Sequence, residues 1–277
     1  MVIVEAGWEA RLALEYALRG ERTVLSRREH SGPLVVQKTL YPEGNSVCHS
    51  IVVHPPGGIA AGDDLKLELR LRQGTAALLT TPGAGKWYKS MGPKASLAQH
   101  FDVARGAVLE WLPQPAIVFD QARAEAKTEI FLEQDALYMG WDITCMGRTA
   151  SGERFGSGEL RQRTEVWQQG RRLWCEYARL AGGDPMLASN AGLAACTVSA
   201  TLIAAGKEIQ KELIELCRGV APEAGEHAGV TALPRVLLAR YLGHSSEAAM
   251  HYFIALWTLL RPALTGRTAV LPRIWAT

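Results

Sequence analysis

Strict alternation of leucine with charged residues marks the clearest structural element in the chain. In the stretch LKLELRLR, residues 65–72, leucine occupies every odd position and a charged side chain every even one. A period of two places all the leucines on one face of a β-strand and all the charges on the other. A helix would scatter the same leucines around its axis, so the pattern predicts a strand with one buried face.

Short apolar runs, closely punctuated by glycine and proline, fill the first two-thirds of the chain. Further strands are predicted over residues 33–40, 49–54, 107–112, 128–133 and 164–180. The last of these stretches is expected to form a hairpin that turns at Gln169 and Gly170. No regular alternation of strand and helix is visible, which disfavours a doubly wound parallel sheet. The predicted fold class is mainly β, with many short strands in a sandwich-like or β-helix-like arrangement.

Helical periodicity replaces the alternation in the last quarter of the chain. Residues 205–220 carry apolar side chains three or four positions apart, which predicts a helix. The same spacing recurs over 234–264, where Gly243 and Ser245 are expected to separate two helices and Ser246 to cap the second. We therefore expect a β-rich body over residues 1–204 and a helical C-terminal segment over 205–277, packed together as one structural unit.

Composition gives no indication of a nucleic acid or membrane partner. Lys plus Arg number 30 and Asp plus Glu 28, so the net charge of +2 creates no global field of either sign. The N-terminus lacks the apolar region of a signal peptide, and no run of 18 or more apolar residues predicts a membrane span. The five cysteines are widely spaced without a CxxC pair, so we expect reduced thiols in a cytoplasmic protein.

The stretch TPGAGKWYKS, residues 81–90, contains the Gly-Lys pair of a phosphate-binding loop but fails the rest of that motif. The motif needs glycine five residues before Gly85 and serine or threonine after Lys86, and these positions hold Thr80 and Trp87. A turn permitted by glycine, with Lys86 in solvent, is the simpler interpretation.

The stretch HPPGGIAAGDDL, residues 54–65, stiffens the chain and then loosens it. Its two prolines fix an extended conformation, whereas Gly57 and Gly58 allow positive φ or a close approach of backbone. Asp63 and Asp64 then stand side by side where the leucine-rich strand begins. A tight turn between two strands and a surface that presents Asp63 are both open interpretations.

Other carboxylates stand beside aromatic or aliphatic residues, namely Glu110, Asp120, Asp142, Glu153 and Glu176. A buried carboxylate needs a cation, a hydrogen bond or a proton, and an ion pair with arginine could explain each acid taken alone. As a set they support either the acid–base pair of a glycosidase or weak oxygen sites for a divalent metal. His49 and His54 flank a predicted strand on opposite faces, so one shared metal site is not expected.

Six blocks with recognisable motifs follow one another along the chain: GPLVVQKTLYPEG (32–44), HPPGGIAAGDDL (54–65), ALLTTPGAGKWYKS (77–90), LEWLPQPAIVFD (109–120), GRTASGERFGSGEL (147–160) and PRIWAT (272–277). Together they resemble the family of the urease accessory protein UreD, also called UreH. Two loops depart from the family pattern. Ala60 and Ala61 stand where the family more often has a β-branched residue and glycine, and Gly85 stands where it usually has threonine.

The resemblance implies a non-enzymatic maturation factor, or chaperone, with a mostly β fold. Members of this family bind apo-urease and the accessory protein UreF, and they recruit the GTPase UreG through UreF. The resulting assembly delivers nickel to the urease active site, and an internal water-filled tunnel is proposed to carry it. We therefore expect transient Ni²⁺ and no tightly bound cofactor, no catalytic residues, and no nucleic acid or membrane partner. A homodimer within the accessory complex is left open.

In the context of this resemblance, the isolated acids acquire a role. Several weak oxygen sites conduct an ion better than one strong site does. The residues expected to line the nickel path are Asp63, Asp142, Glu153 and Glu176. Those expected at a tunnel mouth or a partner surface are His54, Gly57, Gly58, Asp64, Lys86 and Glu110.

Two alternatives to a nickel path stay open. One is an acid–base hydrolase on a β scaffold that uses Glu110 with Asp120 or Glu153, and it requires a carboxylate pair facing an open cleft. The other is a plain interaction module without metal, which predicts that loss of the carboxylates leaves maturation intact.

Overall fold

The chain passes repeatedly between two β-sheets that face each other. The computed structural model describes residues 7–276. Numbered along the chain, the strands of the first sheet are β1 (Glu9–Arg19), β2 (Arg22–Ser31), β5 (Asp64–Leu71), β8 (Ala95–Val103), β11 (Arg123–Leu132), β13 (Glu159–Gln168) and β14 (Arg171–Ala181). Those of the second sheet are β3 (Val35–Val36), β4 (Cys48–Val53), β6 (Ala76–Thr80), β7 (Gly85–Trp87), β9 (Val108–Trp111), β10 (Ala116–Val118), β12 (Leu137–Met146), β15 (Val198–Ala205), β16 (His227–Leu233) and β17 (Val236–Gly243).

Neighbouring strands in the middle of each sheet are parallel, although no helix lies between residues 48 and 146. The longer strands from β4 to β13 alternate between the sheets, so each return to a sheet runs in the same direction as before. The pairs β5–β8, β8–β11 and β11–β13 are parallel in the first sheet, as are β4–β6, β6–β9 and β9–β12 in the second. This solenoid-like stack confirms the predicted mainly β fold class.

Antiparallel strands close both ends of the first sheet. Strand β1 pairs with β2 at one edge, and β13 pairs with β14 at the other. The second of these hairpins turns at Gln169 and Gly170, as predicted, and both residues have positive φ. In the second sheet, β12, β15, β17 and β16 continue in antiparallel order.

Strand β5 buries one face, as the alternation predicts. Leu65, Leu67, Leu69 and Leu71 are 0–2% exposed and belong to the core between the sheets. Full burial of each leucine contributes about 1.5–3 kcal/mol. The opposite face carries charges in solvent, including Glu68, whose carboxylate lies 2.6 Å from the Arg11 guanidinium on β1.

The remaining predicted strands correspond closely to the observed ones, with one exception. The predictions over 49–54, 107–112 and 128–133 are confirmed by β4, β9 and β11, although β11 begins earlier. The prediction over 33–40 holds only for β3, because the rest of that stretch meets β4 through single hydrogen bonds and one isolated bridge between Leu40 and His49.

Three helices, α1 (Pro185–Ala188), α2 (Lys211–Arg218) and α3 (Ser246–Thr265), follow the parallel part of the chain. Helices α2 and α3 cover the outer face of the second sheet, where Trp141 and Ile143 share a second hydrophobic core with Phe253 and Leu256. Within residues 7–276, no helix combines the length and hydropathy needed to cross a lipid bilayer.

Two helix predictions are wrong in detail. The helix expected over 205–220 begins only at Lys211, because β15 extends to Ala205. The first of the two helices expected within 234–264 is strand β17 instead. That strand lies between β15 and β16 and is covered on both faces, so its apolar residues run consecutively and imitate a buried helix.

The helix that does form, α3, is capped one residue earlier than expected. The Ser245 hydroxyl, rather than that of Ser246, accepts a hydrogen bond from the backbone N–H of Ala248 at 3.1 Å. The boundary between body and C-terminal segment at residues 204 and 205 stays a prediction. Strands β16 and β17 follow that boundary and extend the second sheet.

A buried ionic cluster attaches α3 to the second sheet. Arg261, which is 0% exposed, lies 3.0 Å from the Glu110 carboxylate and 2.6 Å from that of Glu43. The other Glu43 oxygen is 2.5 Å from His49 Nε2, and Trp257 donates its indole N–H to Glu110 at 2.7 Å. Burial opposes the charge of Arg261, yet hydrogen bonds and attraction from the two carboxylates raise its pKa.

Removal of Arg261 leaves two carboxylates in the interior without their shared cation. We expect Arg261→Met to lower the free energy of unfolding by about 3–5 kcal/mol, because an uncompensated buried charge is strongly unfavourable. The control is Arg218→Met, which breaks the exposed pair with Glu215 and should cost less than about 1 kcal/mol. Urea unfolding followed by circular dichroism measures both. Equal effects would contradict the role given to the cluster.

Candidate functional site

A cavity of about 630 Å³, partly open to solvent, lies between the two sheets, and side chains of both sheets line it. Several of these side chains are small or polar, including Ser199 and Thr201 on the second sheet. Such side chains cannot fill the space between two facing sheets, whereas Leu69 and Leu71 of β5, which lie outside the cavity, can. The cavity therefore follows from which residues face inward.

A row of polar side chains crosses the first sheet along the cavity wall. Gln99, Thr128, Thr164 and Glu176 are direct cross-strand neighbours on β8, β11, β13 and β14. The Thr128 hydroxyl donates to the Gln99 side-chain oxygen at 2.8 Å. We call these four residues the first polar row. It presents amide, hydroxyl and carboxylate oxygens across four strands.

A second polar row faces the first from the opposite sheet. Asp142, Thr201 and Arg240 are cross-strand neighbours on β12, β15 and β17, and all three line the cavity. Leu137, Met139, Trp141 and Ile143 point the other way, toward the helices. The alternation of β12 thus separates an apolar face from a face that carries a carboxylate.

Asp142 is enclosed by protein, yet its side chain remains accessible because it faces the cavity. Its Oδ1 accepts hydrogen bonds from the Thr144 hydroxyl at 2.7 Å and from the Gln162 amide at 3.1 Å. Enclosure raises the pKa of Asp142, and the charge of Glu176 adds to the rise, whereas the two hydrogen bonds oppose it. Among the described residues, none donates a hydrogen bond to Oδ2.

Glu176 and Arg240 connect the two polar rows across the cavity. Arg240 Nη1 lies 2.6 Å from Glu176 Oε1 and 3.4 Å from the Thr201 hydroxyl. The side chains of Glu176 and Arg240 are 26% and 48% exposed, so the pair is hydrated rather than sealed. Asp142 and Glu176, two of the four acids predicted for the nickel path, are thus the ones that the fold brings to one cavity.

The glycine-rich loop forms another part of the cavity wall. His54, Gly57, Gly58 and Lys86 all line the cavity, and the loop pairs with β7 through the backbone of Ile59. Gly57 has a φ of +77°, which a glycine adopts without strain. A Cβ at Gly58 would lie 2.5 Å from the ring of Tyr88, which explains why the loop needs glycine there.

His54 has an unusual environment within this wall. Its Nε2 is buried and has no hydrogen-bond partner among the described residues. Burial lowers the pKa of His54, and the charge of Asp63 opposes that shift only in part.

The side chains of the adjacent residues Asp63 and Asp64 point to opposite sides of the chain, one into the protein and one toward solvent. The Asp63 carboxylate is 6% exposed and accepts hydrogen bonds from the backbone N–H groups of Trp8 at 2.8 Å and Ala60 at 2.7 Å. It therefore fastens the glycine-rich loop to the start of β1. Asp64 lies on the solvent face of β5, beside Ser96 and Lys66. Neither acid lines the cavity.

Glu153 also lies outside the cavity, in the loop after β12. It pairs with Arg148 at 2.6 Å and accepts the backbone N–H of Asp120 at 3.1 Å. The hydrogen bond from Arg148 holds the pKa of Glu153 below its usual value. Asp120 in turn accepts the backbone N–H groups of Gly156 and Ser157, so the two acids fasten neighbouring loops to each other.

The carboxylate pair required by a hydrolase is not assembled. Glu110 is 2% exposed and faces α3, where Arg261 and Trp257 occupy its oxygens. Asp120 and Glu153 contact each other in loops instead. Within residues 7–276, no group of three or more His, Cys, Asp or Glu side chains is arranged to hold a metal ion.

Sequence reasoning missed most of the polar residues at the cavity, among them Thr144, Gln162 and Arg240. Arg240 escaped because its segment imitates a helix. Its one signal is a charged residue within the otherwise apolar stretch VLLARYLG, where strand alternation places it on the same face as Val236 and Leu238.

Comparison with known proteins identifies the family. The family model described as UreD urease accessory protein matches residues 9–276. The urease accessory protein UreD of Azoarcus sp. (strain BH72) is 51% identical over 273 residues, covering 99% of this chain and 95% of that protein. The chain belongs to the UreD family. The proteins of the same name from Dechloromonas aromatica (strain RCB) and Nitrosospira multiformis (strain ATCC 25196) are 53% and 43% identical, covering 98% and 97% of this chain and 95% and 97% of their own lengths.

Membership confirms the resemblance predicted from the six sequence blocks, and it supports a role in urease maturation. The match extends through both sheets and α3, so the cavity lies entirely within the region shared with the family.

Asp63 should matter for stability where Asp64 does not. We expect Asp63→Ala to lower the free energy of unfolding by about 2–3 kcal/mol, because two backbone N–H groups lose a charged acceptor. Asp64→Ala removes contacts that are open to solvent and should cost less than about 1 kcal/mol. Thermal and urea unfolding of the two variants provides the comparison. An Asp63→Ala protein as stable as the parent would show that the loop does not depend on this carboxylate.

Proposed function

We propose that the chain is a non-enzymatic urease maturation factor that binds apo-urease and UreF, recruits UreG through UreF, and conveys nickel through the cavity between its sheets. The coarse role rests on family membership. The cavity path rests on one observation, that Asp142 and Glu176 face the same internal space from opposite sheets. GTP hydrolysis belongs to UreG in this proposal, in keeping with Thr80 and Trp87 at the decisive positions of the failed phosphate loop.

The chemistry of the cavity suits a divalent ion in transit. Carboxylate, hydroxyl and amide oxygens bind divalent cations, and they hold nickel less firmly than a set of imidazoles or thiolates would. Conduction needs binding that is favourable enough for entry and weak enough for release. Asp142 Oδ2, which accepts no hydrogen bond from the described residues, and the oxygens of the two polar rows provide such sites.

The glycine-rich loop is the proposed mouth of this path or part of a partner surface. It lies at the cavity wall and carries His54, whose unpartnered Nε2 is a nitrogen ligand of the kind that nickel accepts. Asp63 holds the loop in place and Glu153 holds a neighbouring loop. Both acids are therefore left out of the proposed path, although the sequence suggested them for it.

The test is maturation of urease in cells that express apo-urease, UreF, UreG and this chain. We expect Asp142→Asn and Glu176→Gln to lower the nickel content and activity of urease, and the double variant to lower them about tenfold or more, since loss of even an outer-shell partner costs about 10–100-fold in metal affinity. Asp64→Asn is the matched control, because it removes a carboxylate outside the cavity.

Co-purification of UreF and apo-urease with each variant separates transport from assembly. A double variant that keeps its partners and still yields fully nickel-loaded urease would exclude the cavity path and favour a plain interaction module. A double variant that loses its partners would show that these acids act in assembly.

A further inference from the structure

The positive charge of Arg240 is unexpected in a cavity that carries a divalent cation. It places a permanent positive charge beside the Glu176 carboxylate, in the same polar row as Asp142. An arginine keeps its charge at every physiological pH, so loss of a proton cannot neutralise it. A cationic side chain in a cation path either blocks the ion or regulates how firmly the ion is held.

We propose that Arg240 is a built-in competitor of the transported ion, occupying the Glu176 oxygen that a divalent cation would use and so keeping the site weak. This inference rests on the proposed nickel path. It adds a specific residue that determines how readily the ion is released.

The guanidinium stands where cation ligands converge. Its Nη1 lies 2.6 Å from Glu176 Oε1 and 3.4 Å from the Thr201 hydroxyl, so two oxygen groups from opposite sheets already point at one cationic nitrogen. Thr201 is the direct cross-strand neighbour of both Arg240 and Asp142. Adjacent strands are about 4.8 Å apart, so Asp142 lies two strand spacings from Arg240 in the same row.

Without Arg240 the site would attract a cation more strongly. Asp142 experiences the charge of Glu176, and the oxygens of Thr144, Thr201 and Gln162 lie beside Asp142 or next to it in the row. Two carboxylates give a charge of −2, and Arg240 brings the total to −1. A divalent ion is attracted less by the smaller charge and is repelled by the guanidinium directly.

An ordinary ion pair that stabilises the fold is the competing explanation for Arg240. The pair joins β14 and β17 across the two sheets, but its side chains are 48% and 26% exposed. Hydrated pairs of this kind contribute little to stability. Side chains that remain accessible change rotamer within nanoseconds, so Arg240 can leave Glu176 when an ion arrives and return when the ion departs.

The experiment measures nickel binding by the purified full chain with equilibrium dialysis against NiCl₂. The variant is Arg240→Met, which keeps an unbranched stem of similar shape and removes the charged guanidinium. We expect its affinity for nickel to rise about tenfold or more, because repulsion between the guanidinium and the ion is removed. Arg240→Lys keeps the charge and should bind nickel about as weakly as the parent.

The double variant Arg240→Met with Glu176→Gln distinguishes competition from a general change in structure. It should lose the gain, since the freed Glu176 carboxylate is then a neutral amide. In the urease maturation assay, Arg240→Met should retain nickel on the accessory protein and deliver less to urease. Arg240→Gln serves in its place if Arg240→Met does not fold.

Two outcomes would overturn the inference: unchanged or weaker nickel binding by the neutral Arg240 variants, or a gain that persists when Glu176 is changed to glutamine. These outcomes differ from failure of the nickel path itself. If Asp142→Asn and Glu176→Gln impair maturation but Arg240→Met binds nickel like the parent, the path stands and the competitor role is wrong. If those acid variants mature urease fully, the path is wrong, and the competitor role that rests on it falls as well.

Discussion

The fold depends on contact between the inward faces of two sheets whose strands the chain visits in turn. Because each crossing adds a strand to the sheet that the chain enters, the inward-facing residues of both sheets share one interior. Where such a residue is Leu69 or Leu71 of β5, the interior closes. Where it is Gln99, Thr128 or Ser199, the side chains cannot meet and a cavity remains. The two-sheet architecture and the cavity therefore both follow from the way the chain alternates between the sheets.

The outer face of the second sheet obeys a different requirement. It is apolar and is covered by α2 and α3, and one buried ionic cluster sets the position of α3. Glu110 belongs to that cluster, although its place in the sequence resembles that of the cavity acids. The same sheet therefore carries two acids in contrasting environments. Glu110 is neutralised by Arg261 in a dry core, and Asp142 is exposed to an internal space.

The sequence predicts correctly those strands that have one buried face and one face in solvent. Strand β5 and the β13–β14 hairpin alternate visibly because one face meets solvent, whereas the consecutive apolar residues of β17, which is covered on both faces, predict a helix. The acids show a related limit. Asp142 and Glu176 stand beside apolar strand residues, which is their signal, whereas the signal of Asp63 is its place at the end of the glycine-rich motif. The partners of Asp63 are backbone N–H groups, one of them 55 residues away at Trp8, and no local pattern reveals them.

The hydrogen-bond ladder of the first sheet also acts as a ruler. The first polar row runs across the strands rather than along them, from Gln99 on β8 to Glu176 on β14. Strand spacing is fixed at about 4.8 Å, so three spacings span about 14 Å. An ion that followed the row would meet a new oxygen group at each step, at intervals determined by backbone geometry. Sequence change can alter the strength of each step but not its length.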